Sequence, residues 1–199
     1  MKSLIVALVL FISSTVQGAV IYVDVPDVSF VPLEVIRLDF SSPGWSKATA
    51  NWDGDLNLYH HFWDDERTMI HRVGGGFGIV EGVDSNHAAL LDLGDMIGAG
   101  STYTTNQHVH IDDGSTGDWD GGGVGYIGFR MDAGRGNYNY GYLHLSHDDA
   151  NNVTKLLDFG YETSVNTSIV AGLTPVPEPA AISLMFLGLT MGFLKRRRI

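Results

Sequence analysis

The sequence predicts an all-β protein: one antiparallel β-sandwich, jelly-roll-like, over residues 19–174, flanked by an N-terminal signal peptide and a C-terminal transmembrane helix. Three observations carry that prediction. Apolar and polar residues alternate at a period of two through most of the body, the pattern of strands with one buried face. Segments rich in Gly, Asn and Asp separate those strands and supply turns. No stretch of about 12 residues shows the 3.6 period of an amphipathic helix, although Asn86 to Met96 has room for a short helical turn.

The chain opens on Met1-Lys2-Ser3, an apolar run from Leu4 to Ile12, then Ser13-Ser14-Thr15 and Val16-Gln17-Gly18. One cation, a short apolar core and small residues before the cut make a secretory signal peptide over residues 1–18, read by the Sec machinery and cleaved by signal peptidase. The run is too short to span a bilayer comfortably. The body then supplies its strands in order. Ile36, Leu38 and Phe40 share one face against Arg37 and Asp39, and Val109 and Ile111 oppose His108, His110 and Asp112. Ile127, Phe129 and Met131 oppose Tyr126, Gly128 and Arg130, while Leu143 and Leu145 oppose Tyr142, His144 and Ser146. Leu157, Phe159 and Tyr161 oppose Asp158, Gly160 and Glu162. The last three sets predict a meander with one face toward water.

The chain closes on Val176-Pro177-Glu178-Pro179, an uncharged run from Ala180 to Leu194, and Lys195-Arg196-Arg197-Arg198-Ile199. As a helix, residues 180–194 rise about 22 Å, a marginal span. The terminal cations hold that end in the cytoplasm. These three parts in this order resemble the PEP-CTERM sorting signal over residues 175–199. The resemblance implies an exported protein of a Gram-negative bacterium, held transiently in the inner membrane, processed by an exosortase, and delivered to the cell surface or outside. Within the body, Asp95 to Gly98, Gly125 to Arg130, Tyr140 to Ser146, and Gly160 to Thr163 followed by Ile169 to Gly172 resemble a common PEP-CTERM ectodomain pattern. That likeness brings no catalytic residue with it.

Without both end segments the body keeps seven bases against 22 acids, a net charge of −15. Nucleic acid and anionic membrane surfaces repel such a surface, whereas cations, neutral polysaccharides and basic partners remain open. The chain has no cysteine, which excludes disulfides, thiolate zinc sites and a cysteine nucleophile. It carries no Gly-x-Ser-x-Gly, His-Glu-x-x-His or phosphate-loop motif, and no cofactor is expected.

Four constellations invite chemistry. Asp112, Asp113, Asp118 and Asp120 crowd one glycine-rich loop around Trp119, and Ca²⁺ is the hard cation that would relieve their repulsion. Asn51, Asp53, Asp55 and Asn57 alternate as oxygen ligands do, but Leu56 and Phe62 stand where an EF-hand needs Gly and Glu. His108 and His110 put two imidazoles on one strand face, with Asp112 continuing the row; His144 or His147 would complete a metal site only if the fold brought them near. Asp64, Asp65 and Glu66 beside Trp63 offer carboxylates for a glycosidase, with Trp45, Trp52, Trp63 and Trp119 as stacking platforms. The expectation is a non-enzymatic surface or extracellular-matrix protein; the alternative is a glycan-binding or glycan-cleaving jelly roll using acidic loop residues.

Overall fold

The computed structural model describes residues 19–30, 34–40, 44–49, 55–60, 68–72, 76–112 and 117–174. The signal-peptide segment 1–18 and the sorting segment 175–199 lie outside them, as do Asn51, Trp52, Asp53, Trp63, Asp64, Asp65, Glu66 and Asp113. Among the described residues no helix is long and apolar enough to cross a membrane.

Alternation of branched and aromatic residues builds β1 (Val20–Phe30), β2 (Glu34–Asp39), β3 (Gly44–Thr49), β4 (Leu56–His60), β5 (Thr68–Arg72) and β6 (Phe77–Val80). Two short strands follow, β7 (Met96–Ile97) and β8 (Tyr103–Thr104), then β9 (His108–Asp112). Three long strands come next: β10 (Gly123–Gly134), β11 (Asn137–Asp148) and β12 (Val153–Glu162), before the two-residue β13 (Ile169–Val170). They form an antiparallel six-stranded sheet in the order β1-β12-β11-β10-β6-β8, an antiparallel five-stranded sheet β3-β2-β4-β5-β9, and the small pair β13-β7. The expected meander is β10-β11-β12.

The two large sheets pack face to face. Ile36, Leu38, Leu56, Leu58, Ile70, Val109 and Ile111 from one sheet meet Ile127, Phe129, Leu143, Leu145, Leu156 and Phe159 from the other in a single core cluster. Each such side chain contributes roughly 1.5–3 kcal/mol by leaving water. At one end, Phe40 collects four rings, with centroids 5.6 Å from Phe77, 5.0 Å from Phe129, 5.7 Å from Phe159 and 5.5 Å from Tyr161. Trp119 is also fully buried in this core cluster, so it is core rather than a platform. Its indole N–H has no hydrogen-bond partner among the described residues.

Three expectations need correction. The run Leu157, Phe159 and Tyr161 does not share one face: β11 pairs His144 with Asp158 and Leu145 with Leu156, so Leu157 is the extra residue of a β-bulge. Leu156 takes the core position instead. The outer face of the meander is not wet throughout. Tyr126, Tyr140 and Tyr142 join Val80, Ala89, Ile97, Ile169 and Ala171 in a second cluster, beneath a strap carrying β7 and β13. Tyr142 donates to the Leu173 carbonyl at 3.1 Å, and Leu91 and Tyr126 exchange backbone hydrogen bonds at 2.9 and 3.0 Å. The segment Asn86 to Met96 forms bridges and turns rather than a helix, because its backbone groups are spent on Val80, His110 and Tyr126.

Candidate functional site

The sequence row His108, His110, Asp112 is broken by a second bulge. β5 pairs Met69 with His110 and Thr68 with Asp112, leaving Ile111 over. The inserted residue turns Asp112 away from the outer row and into the space between the sheets, where it is 2% exposed. There its Oδ2 accepts from His147 Nε2 at 2.8 Å, and His147 is itself buried. With Nε2 protonated toward the carboxylate, Nδ1 accepts from the Thr154 hydroxyl at 2.9 Å, and Thr154 Oγ1 lies 3.2 Å from Thr68 Oγ1. Asp112 and Thr68 belong to the five-stranded sheet, His147 and Thr154 to the six-stranded one. The chain of contacts therefore clamps the two sheets at one rim.

Hydroxyl, imidazole and carboxylate in that order are the parts of a nucleophilic triad. Here Thr154 is fully buried, with its oxygen held between His147 and Thr68, so no carbonyl substrate reaches it. Asp149, exposed, brings a carboxylate oxygen to the same rim, and one donor atom from each of Asp112, His147 and Asp149 lies within 4.8 Å of the others. These three residues have the donor set for a divalent cation. Neighbouring Asp148 serves locally: its two oxygens accept from the Asn151 backbone and side-chain nitrogens, and those bonds hold its carboxyl below the usual range.

The acidic loop does not gather its charges. Asp112 points into the sandwich, whereas Asp118 and Asp120 are exposed on either side of buried Trp119, and Asp113 lies outside the described residues. Of the alternating set Asn51, Asp53, Asp55 and Asn57, the first two lie outside the described residues. Asp55 caps the chain by accepting from the Phe40 N–H at 2.8 Å, and Asn57 is fully buried on β4. Trp45 stands opposite Leu38 in the β2–β3 register, its side chain outside the description.

The histidines take separate partners. His110 packs against His87, ring centroids 5.6 Å apart, and His87 Nδ1 meets Asp84 Oδ1 at 2.8 Å. That bond is the main cause of a lowered Asp84 carboxyl. His144 belongs to the other sheet, with Nδ1 2.7 Å from Asp158 Oδ2 and its ring stacked on Tyr126 at 4.3 Å. His108 faces His71 across the β5–β9 register, Nδ1 to Nδ1 at 3.4 Å, and its Nδ1 is also 2.8 Å from the Tyr59 hydroxyl. Burial pushes the Tyr59 phenol up to about 12. Partial burial, then His108, then Arg72, lower the His71 imidazole. Neither Tyr59 nor His71 stands out in the sequence; the available signal was that Thr68 to Arg72 is a strand whose outward positions fall opposite His108 and His110.

A cleft of about 400 Å³ opens at the aromatic end of the core. Phe40, Phe77, Met131 and Tyr161 form its apolar wall, and Asp55, Asp132 and Asn139 its polar one. Its polar groups are positioned from behind: Asp132 Oδ1 accepts from the Gly134 N–H at 2.7 Å, Asn139 Nδ2 donates to the Glu162 carbonyl at 2.9 Å, and Tyr161 donates to the Phe40 carbonyl at 3.1 Å.

The chain matches no known family model, no curated protein and no solved structure.

Proposed function

We propose that the protein is an exported, non-enzymatic component of the cell surface or extracellular matrix, sorted through its C-terminal segment. The observation that carries this reading is the three-part end: Pro177-Glu178-Pro179, the uncharged run 180–194, and Lys195, Arg196, Arg197 and Arg198, on a chain whose first residues include Lys2 and the apolar run from Leu4 to Ile12. In this reading the Sec machinery and signal peptidase handle the N-terminus, an exosortase cuts near the Pro-Glu-Pro motif, and inner-membrane anchorage is transient. The body, at −15, is suited to a polysaccharide-rich exterior rather than to nucleic acid. Among the described residues, the rim that resembles a triad, Thr154, His147 and Asp112, is sealed by burial. The test is pulse-chase expression in an exosortase-bearing host followed by intact mass. Processed chains lacking the basic tail support the reading, and persistence of the tail sinks it.

The cleft favours a second reading, a glycan-binding or glycan-cleaving domain on a jelly-roll-like scaffold. Its size suits one or two sugar rings, with aromatic walls for ring faces and Asp55, Asp132 and Asn139 for hydroxyls. In this reading the cleft replaces Asp64, Asp65 and the Asp112 to Asp120 loop as the source of carboxylates. Titration with matrix polysaccharides, repeated on Asp132→Asn, separates the two: binding or turnover lost in the folded variant favours the glycan reading, and none in the wild type removes it.

A further inference from the structure

We propose that Tyr59, His71 and His108 form a binding site for a single late first-row divalent cation, copper(II) ahead of zinc, on the outer face of the five-stranded sheet.

The argument begins with register. Asn57, His71 and His108 occupy one cross-strand row of β4, β5 and β9, and Tyr59 lies in the next row on the same face. The fold thus brings residues from three strands to one spot. His108 Nδ1 lies within bonding distance of two groups at once, the Tyr59 hydroxyl at 2.8 Å and His71 Nδ1 at 3.4 Å. A cation placed among the three would be held by all of them. Ligands at about 2.0–2.1 Å from a metal stand about 2.8 Å apart at a right angle and about 3.4 Å apart at a tetrahedral one. Those are the two separations found.

A second, independent observation lies beneath the cluster. Asn57 is fully buried, and among the described residues neither its amide nitrogen nor its amide oxygen has a hydrogen-bond partner. A buried carboxamide left this way costs on the order of 1–3 kcal/mol. A water on a metal at the neighbouring row position is a partner of the right kind. The site also has a way in, since His108 is exposed and His71 half-buried while Tyr59 is 2% exposed. Met69 Sδ, 3.4 Å from the Tyr59 oxygen, adds a soft atom at the floor. Two imidazoles, a phenol oxygen and a nearby thioether are the ligand types copper prefers, and copper heads the affinity order among these metals. On binding, the phenolic proton leaves to solvent and the copper–oxygen bond takes its place.

The experiment titrates copper sulfate into the full chain, purified in detergent and stripped with chelator, with visible absorption, calorimetry and pulsed EPR as readouts. The expected result is one tight equivalent, two coupled imidazole nitrogens, and a phenolate-to-copper band that Tyr59→Phe abolishes. His71→Gln and His108→Gln should each weaken binding on the order of 100-fold, while His144→Gln, at an imidazole engaged by Asp158, leaves it unchanged. Unaltered affinity in the doubly substituted His71→Gln/His108→Gln chain overturns the proposal. So does a wild-type EPR spectrum with fewer than two imidazoles, whatever the variants do.

Discussion

Replacing His147 by alanine tests the rim clamp directly. The substitution removes the 2.8 Å bond to Asp112 and the 2.9 Å bond to Thr154, and leaves an Asp112 carboxylate that is 2% exposed without its imidazole. Stranding a buried charge in this way costs about 3–5 kcal/mol. For a domain of this size that lowers the melting temperature by roughly 6–20 °C. The assay is equilibrium urea unfolding of His147→Ala, Asp112→Ala and the double variant, followed by tryptophan fluorescence, to which buried Trp119 contributes. Because the two side chains act as a unit, the double variant should be only slightly worse than either single one, with a coupling energy of about 2–3 kcal/mol. A loss below about 1 kcal/mol in His147→Ala, or full additivity in the cycle, refutes the inter-sheet clamp.

Other outcomes follow from the same structure. Burial holds Tyr59 and Tyr103 up to about 12 and raises Tyr142 further, against an ordinary value of 10.0. The folded state then keeps protons that the unfolded chain loses, so stability is full below pH 10 and falls as pH rises toward 12; ultraviolet phenolate titration should show these tyrosines ionising only with unfolding. Gly141 pairs with Phe129 under its ring, and a Cβ there would meet the ring and the Gly160 carbonyl at 2.7 Å. Gly141→Ala should therefore cost about 2–3 kcal/mol in thermal or urea unfolding. With Asp118 and Asp120 exposed and Asp112 turned inward, Ca²⁺ and Mg²⁺ at matched ionic strength should give the same melting temperature. A rise specific to Ca²⁺ that Asp149→Asn removes would assign an ion to Asp112, His147 and Asp149.

The fold was legible wherever alternation ran unbroken. Ile127 with Phe129 and Leu143 with Leu145 sit inward as their spacing requires. It misled at the two bulges, because an inserted residue changes the phase of a strand without changing its composition. Leu156 and Leu157 are equally apolar, so nothing in the sequence says which is inside. At Ile111 the same displacement carried Asp112 from a row of histidines to a buried partner 35 residues away. The outer strap was missed because Tyr126 and Tyr142 look like the wet side of a strand, and a tyrosine buries its ring readily once its hydroxyl finds a carbonyl. The cluster of Tyr59, His71 and His108 depends on cross-strand register, which is fixed by tertiary pairing and is absent from any single strand's pattern.

Export followed by C-terminal processing is the central claim, and the intact mass of the chain recovered from outside an exosortase-bearing host tests it most directly. The predicted mass is that of a chain beginning at or next to Ala19 and ending near Pro177-Glu178-Pro179, without Lys195, Arg196, Arg197 and Arg198. A mature chain that still carries those four cations, or that stays in the cytoplasm with Met1 to Gly18 attached, contradicts it.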